Sequence, residues 1–272
     1  MEEIEEIEVE VDEVMKLLDA CSNGRFEVEK LLLNDASINI NRLFVIACKE
    51  GFVEIVKLLL NDGRVDVNKL DVLGETPFYF DFECNDKRTE IVKLLGNRNF
   101  SGQTPLWVAC RKGHIEIVKL LLKDKRVDIN KVNKHGETPF WIACSKGQIE
   151  VVKLMLNDQR TDVRKAQVND KTPFFGACQN SNLEIVEHML ASGRDVNLAQ
   201  ESKNEKKTAL CCAWRERNSE QREWENGKDF KKRLKNSQKI INLINEFQRK
   251  PNQTRIKLRK QLRILGKFFS SQ

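Results

Sequence analysis

The sequence predicts an all-α fold with short β-hairpin loops: an α-solenoid of about six to seven helix-turn-helix copies laid side by side. Three observations carry this. The stretch from Gly136 to Asp170 recurs at an interval of 34 residues, landing on Gly102, Thr104, Pro105, Ala109, Cys110 and Gly113 before it and on Thr172, Pro173, Ala177 and Cys178 after it. Each copy carries an eight-residue run such as Ile149 to Leu156 that is too apolar for a lone surface helix and needs cover on two sides. A fixed period in this range means stacked units.

Each part of the copy has a local reason. Thr138 is placed to cap a helix whose first turn holds Pro139, where a missing N–H costs nothing. The helix runs to Lys146, with the small residues Ala143 and Cys144 on the side a neighbour must approach closely. Gly147 ends it where a left-handed backbone is easiest for glycine. The second helix follows, and 157–171 has room for an extended hairpin and turn around Asp162 and Val163. In the following copy Asp170 and Ser181 stand where the pattern has glycine.

These residues resemble the ankyrin repeat family. Thr104-Pro105-Leu106-Trp107-Val108-Ala109 is similar to that family's Thr-Pro-Leu-His-x-Ala signature, with Trp107 in the histidine position. Gly113 to Leu122 matches the second-helix signature, and Asp66-Val67-Asn68 and Asp195-Val196-Asn197 match the hairpin signature. The resemblance covers roughly residues 14 to 215 and implies a solenoid that binds other proteins. It also implies where: the family's variable positions line a concave groove. They map onto Leu73, Lys134, His135, Glu137 and Asn169 at hairpin tips, and onto Arg111, Lys112, Ser145, Lys146, Gln179 and Asn180 near first-helix ends. Arg111, Lys112 and Lys146 give the groove a basic tint that suits an acidic protein segment.

In chain order, residues 1–40 hold an acidic capping segment and the first copy, and residues 41–199 hold the regular copies. Residues 1 to 13 contain eight acids and no base, which suits an array end facing water or, alternatively, a strip for a basic partner. The third copy, 74–101, is irregular: Asp81 and Phe82 replace the Ala-Cys pair, which predicts a distorted helix and a bend between two better-ordered blocks. At the histidine position the copies read Phe44, Tyr79, Trp107, Trp141 and Phe175. Partial burial between copies is expected; exposed rings there, at Tyr79, Trp107, Trp141 and Phe175, would instead anchor a partner.

Residues 200–247 read as a degenerate last copy. A charged insertion at about 215–238 precedes its second helix at Lys239 to Phe247, extending the helices or forming a mobile loop. The tail, 248–272, reads as a basic amphipathic helix from Thr254, with Leu258, Leu262, Leu265 and Phe269 on one side. Its cations are Arg255, Lys257, Arg259, Lys260, Arg263 and Lys267. Such a helix caps the last copy, lies on an anionic membrane, or docks on an acidic protein or RNA.

Composition narrows the function. Lys and Arg number 47 against 41 acids, and 20 of those bases lie in residues 201–272 beside eight acids. No run of about 18 apolar residues spans a bilayer, so a cytoplasmic or nuclear location is expected. Cys21, Cys48, Cys110, Cys144 and Cys178 all follow an alanine, in a slot that wants a small, soft, apolar side chain rather than a metal ligand. With three histidines and no nucleophile-base pattern in frame, the chain reads as a non-enzyme without cofactor or small-molecule substrate. The leading expectation is a scaffold or adaptor binding a partner protein along its groove. The alternative is a peripheral binder of anionic membrane or nucleic acid through the basic tail.

Overall fold

A computed structural model describes residues 40–69, 102–199 and 226–264, with residues 208–210, 213, 216 and 218 between the last two. The acidic segment and first copy, the third copy with Leu73 and Tyr79, and Lys267, Leu265 and Phe269 lie outside the described residues. The chain divides into two compact units, Met1–His135 and Gly136–Gln272.

The first unit contains two helix pairs. Helix α1 (Ile40–Glu50) is followed by α2 (Val53–Leu60), and α3 (Pro105–Lys112) by α4 (Ile115–Lys123). Thr104 accepts the Trp107 N–H at 3.1 Å and Pro105 occupies the first turn, the cap and stiffener the sequence promised. Leu43, Phe44, Ala47 and Cys48 from α1 are buried with Leu106, Trp107, Ala109 and Cys110 from α3. Ile55, Val56 and Leu59 of α2, and Ile117, Val118 and Leu121 of α4, form the second buried row.

The loops between pairs differ from the hairpins expected: among the described residues they are tandem Asx turns rather than strand ladders. Asp62, Asp124 and Asp158 each accept the N–H two residues on, and the arginine there returns its guanidinium to the same carboxylate at 2.6–2.7 Å. That hydrogen bond holds all three carboxylates below the usual range. A second Asx turn follows at Asp66, Asp128, Asp162 and Asp195. A short polar side chain bonding its own backbone replaces the ladder locally.

The distorted helix and bend expected of the third copy lie outside the described residues; the copies before and after it are in direct contact, α1 packing on α3 and α2 on α4. The Asn68 amide donates to the Arg126 carbonyl and accepts the Asp128 N–H, both at 2.7 Å, and Arg126 donates to the Leu60 carbonyl at 2.7 Å. Asn41, one copy earlier in the frame, accepts the Asp66 N–H in the same way at 2.7 Å. The described helices of the second and fourth sequence copies are thus adjacent layers.

The second unit repeats the scheme and then closes it. Helices α5 (Pro139–Lys146) and α6 (Ile149–Asn157) lie beside α7 (Pro173–Gln179) and α8 (Leu183–Ser192), α5 against α7 and α6 against α8. Asp170 and Ser181 keep the left-handed backbone of the glycines they replace, each at φ 57°. For a non-glycine residue that geometry is strained and needs outside support. Ser181 receives it: its hydroxyl lies 2.8 Å from the Ser237 hydroxyl, and the Asn236 amide donates to its carbonyl at 3.3 Å.

Both residues belong to α9 (Gly227–Arg249), which starts ahead of the expected Lys239 and so follows, over the described part of 215–238, the alternative of an extended helix rather than a loop. Asn226 caps α9 by accepting the N–H of Lys228 and of Asp229. Its buried face is Arg233, Ser237, Ile240 and Ile244, with Arg233 donating to the Glu216 carboxylate at 3.1 Å. Ala209 and Ala213 are helical and buried, as the degenerate last copy requires. Helix α10 (Pro251–Gln261) follows Lys250, starting three residues before the expected Thr254 and stopping short of Phe269, and packs on α8 and α9.

Two predictions follow from this packing. Replacing residues 69–101 by the five residues of 131–135, which join Asn130 to Gly136, keeps Asn68 bonded to Asp128. The variant is expected to melt cooperatively within about 4 °C of the parent; loss of hydrogen-exchange protection at the Asp128 amide would show the excised segment to be a necessary layer. The second concerns His188, whose Nδ1–H donates to the Glu184 carbonyl at 2.8 Å and whose burial lowers its pKa from the ordinary 6.5. The unfolded chain therefore takes up the proton first, so stability is full above about pH 6.5 and falls as pH drops toward the folded value. Urea midpoints are expected to decrease from pH 7.5 to 5.5 in the parent and to decrease less in His188→Gln.

Candidate protein-binding surface

The surface is set by how neighbouring helix pairs are held. In the first unit His114 reaches across to the end of α1, its Nε2–H donating to the Lys49 carbonyl at 2.8 Å. In the second, the Asn182 amide donates to the Cys144 and Ser145 carbonyls at 2.8 and 3.2 Å. Both satisfy carbonyls that a helix C-terminus leaves without intrahelical partners. The glycines that end α1 and α5 make room: a Cβ on Gly51 would meet the His114 ring at 2.9 Å, and one on Gly147 would meet Asn182 at 3.1 Å. Both glycines are also left-handed, at φ 88° and 78°.

The aromatic column is part of this packing. Phe44, Trp107, Trp141 and Phe175 are 0 to 7% exposed. The reading of Trp107, Trp141 and Phe175 as exposed anchors is therefore corrected: each ring is enclosed, and burying that area contributes more to the fold than an exposed ring offers a partner. Trp141 does reach the surface loop indirectly, because its indole N–H donates to the Lys171 carbonyl at 2.9 Å at the base of the next tip. The corresponding nitrogen of Trp107 is buried without an acceptor.

The residues assigned to the groove fall into two sets. In the first unit Lys112, Lys134 and His135 are exposed, while Arg111 is half-buried with its guanidinium 5.7 Å from the Trp107 ring centre. The His135 N–H donates to Asn133, which shapes that tip. In the second unit Lys146 and Asn180 are exposed, and Glu137, Ser145, Asn169 and Gln179 are half-buried. The Asn180 amide donates to the Ser145 hydroxyl at 3.2 Å, linking the ends of α7 and α5. Leu73 lies outside the described residues.

One residue was missed. Val168, at the tip beside Asn169, is 60% exposed, an unusual position for a β-branched apolar side chain. It stands 34 residues after Lys134, so the repeat frame itself marks it as belonging to the same column.

Of the roles read for the tail helix, covering the last copy is the one its packing matches, although Arg259 is placed differently from the expectation. Leu258 and Thr254 are buried and Leu262 half-buried, and α10 covers α8. Arg259, expected on the solvent side, donates through Nε to the Ala191 carbonyl at 2.8 Å and through Nη2 to the Ser192 carbonyl at 3.4 Å. A guanidinium there satisfies carbonyls at the end of α8 and complements the helix dipole. Lys257 pairs with Glu246 at 3.0 Å, Arg255 lies 5.6 Å from the Phe247 ring, and Lys260 and Arg263 are exposed.

Buried Ala-Cys pairs, threonine caps and a periodic neighbour bond define a tandem-repeat protein whose layers bury one another and leave helix ends and loop tips for contact. The family model for ankyrin repeats (three copies) matches residues 17–100 and 80–165, and the chain belongs to the ankyrin repeat family. Ankyrin repeats are generally protein–protein interaction modules. No curated protein matches the chain. Among the described residues no helix is long and apolar enough to cross a membrane, and no cluster of His, Cys, Asp or Glu is placed to hold a metal ion.

The two tryptophans make a direct test. Trp141→Phe removes the shorter of two hydrogen bonds to the Lys171 carbonyl, leaving the Gln167 N–H at 3.2 Å, and is expected to cost about 1 kcal/mol in urea unfolding. Trp107→Phe removes a donor that has no acceptor and is expected to cost less; equal losses would show that ring size, not the hydrogen bond, sets the effect.

Proposed function

We propose that this protein is a non-enzymatic scaffold that captures an acidic segment of a partner protein through first-helix ends and loop tips, which each unit presents by itself. One observation carries the reading. From copy to copy the chain keeps the residues that packing needs and changes those on this edge: Arg111, Ser145 and Gln179 share one position, Lys112, Lys146 and Asn180 the next, and Lys134 and Val168 a third. The invariant positions are explained by caps, glycine conformations and close helix contact. The changing ones are exposed or half-buried, carry mainly positive charge, and include one bare apolar side chain.

Charge on such an edge sets association rate and partner sign, while a few apolar or half-buried groups supply most of the affinity. Arg111 suits this role because its stacked guanidinium is already ordered over Trp107. Val168 offers the apolar contact in the second unit.

The test is affinity capture with the intact chain beside Arg111→Ala, Lys112→Ala, Lys146→Ala and Val168→Ala combined. The partner captured by the intact chain is expected to be lost by the variant, with binding weakened by salt and the melting temperature held within about 4 °C. Undiminished capture by a folded variant would place recognition elsewhere.

A further inference from the structure

The cations of the two closing helices are used differently. On α10, Arg255 lies 5.6 Å from the Phe247 ring centre, Lys257 pairs with Glu246 at 3.0 Å and Arg259 donates to the Ala191 carbonyl at 2.8 Å. Only Lys260 of that helix has no such contact among the described residues. On α9, Lys228, Lys231, Lys232 and Lys235 are all exposed, and none of their ammonium groups has a partner among the described residues. The one acid in that stretch, Asp229, is engaged by the Asn226 amide at 2.7 Å as part of the cap. Lys239, one turn further on, has the Glu187 carboxyl of α8 within electrostatic reach.

The four lysines are gathered on one face. At about 100° and 1.5 Å per residue they fall within an arc of about 100° and within about 10 Å along the axis. The buried face of Arg233, Ser237, Ile240 and Ile244 lies opposite, so they take no part in packing. Lys228 with Lys232, and Lys231 with Lys235, are like charges one turn apart, an arrangement that destabilises a helix. They also occupy its first three turns, where the dipole disfavours cations. Nothing inside the fold offsets that cost, and an anion seated across the face would.

The surroundings of the lysines choose among anions. No large apolar side chain of α9 is exposed. The face therefore lacks the wedge a membrane needs, the anchor a protein partner buries and the open ring on which an unpaired base stacks. From Lys228 to Lys235 there is no exposed arginine, the side chain that meets a carboxylate with two parallel bonds; lysine is a point charge that suits a phosphate. A regular phosphate backbone asks for charge alone, and duplex DNA carries about one negative charge per 1.7 Å of its axis. Its major groove, about 12 Å wide, admits an α-helix, whereas that of A-form RNA is too narrow. We propose that the lysine face of α9 binds the phosphate backbone of double-stranded DNA without regard to sequence. The face lies on α9 alone, so this inference does not rest on the scaffold reading.

Fluorescence anisotropy of a short labelled DNA duplex, titrated with the intact chain over a range of salt, tests the contact. Changing Lys228, Lys231, Lys232 and Lys235 to glutamine is expected to weaken binding about tenfold or more at low salt, and to flatten the slope of log K against log salt by about 3 to 4, since each phosphate contact contributes about 0.9. A control in which the exposed Lys69, Lys123, Lys125 and Lys165 become glutamine removes the same charge and is expected to bind like the parent. Equal losses in the two variants, or an unchanged slope, overturn the proposal. Duplex RNA, polyglutamate or anionic vesicles bound as tightly as the DNA overturn it too.

A measurement on the parent chain needs no substitution. Acylation of lysines by a small succinimidyl ester, read by mass spectrometry, is expected to slow several-fold at Lys228, Lys231, Lys232 and Lys235 when the DNA duplex is added, and to stay the same at the exposed Lys123 and Lys125. Uniform slowing, or none, means that α9 is not the contact and the proposal fails.

Discussion

Everything in this fold depends on one contact between neighbouring layers: a polar side chain from the start of one second helix satisfying the open carbonyls at the end of the adjacent first helix. His114 does this for Lys49, and Asn182 for Cys144 and Ser145. The contact is possible only because the first helix ends on a glycine, turned left-handed and lacking the Cβ that would strike the incoming side chain. It fixes how close two layers come. That spacing is what then demands alanine and cysteine, wholly buried, where the helices touch. Burial also pushes the Cys48 and Cys110 thiols well up, so the slot is chemically quiet as well as small.

Because adjacency is decided by such side chains, it need not follow sequence order. Asn68 accepts from Asp128, which stands a full copy further along the chain than the next hairpin in sequence, and the bond has the same length as that of Asn41 to Asp66. Any hairpin with the Asp-x-Asn pattern offers the same donor and acceptor. In the sequence, the intervening copy carries Asp81 where a close helix contact wants a small residue, and an aspartate there is costly to bury unpaired. The copies on either side each offer a small face, and in an array whose stability is a sum of neighbour terms the contact between those faces contributes in full.

The regular copies were legible because every strong local signal agreed with the period: threonine before proline, small residues at the contact, glycine at the end. The aromatic column was legible as packing, since a ring at a position repeated in register with a buried helix has little chance of standing free. The tandem Asx turns were hidden behind an alternating pattern that also describes a hairpin. Helix α9 was hidden for a different reason: two of its four buried positions are Arg233 and Ser237. An apolar period cannot report a helix whose inner face is half polar, and only the partners Glu216 and Ser181 explain why such residues are inside. Of the binding edge, the frame gave the positions, and it also held Val168; what the sequence could not supply was which side chains stand exposed.

The end of the array ties these threads together. A last layer has no successor to satisfy its carbonyls, and here the chain meets that need from its own tail, with Arg259 reaching the end of α8 and Ser237 steadying the strained Ser181. Three cations of the basic tail are thereby spent on structure: one bonded to backbone carbonyls, another paired with Glu246, a third beside Phe247. Charge with no structural duty is found instead on the opposite face of α9, where nothing in the cap requires it. A solenoid that needed only to be closed would have put glutamate among those lysines, as α2, α4 and α6 do. That it did not separates the two faces of the closing helix: α10 and the inner face of α9 complete the fold, and the outer face of α9 carries four exposed lysines that packing does not use.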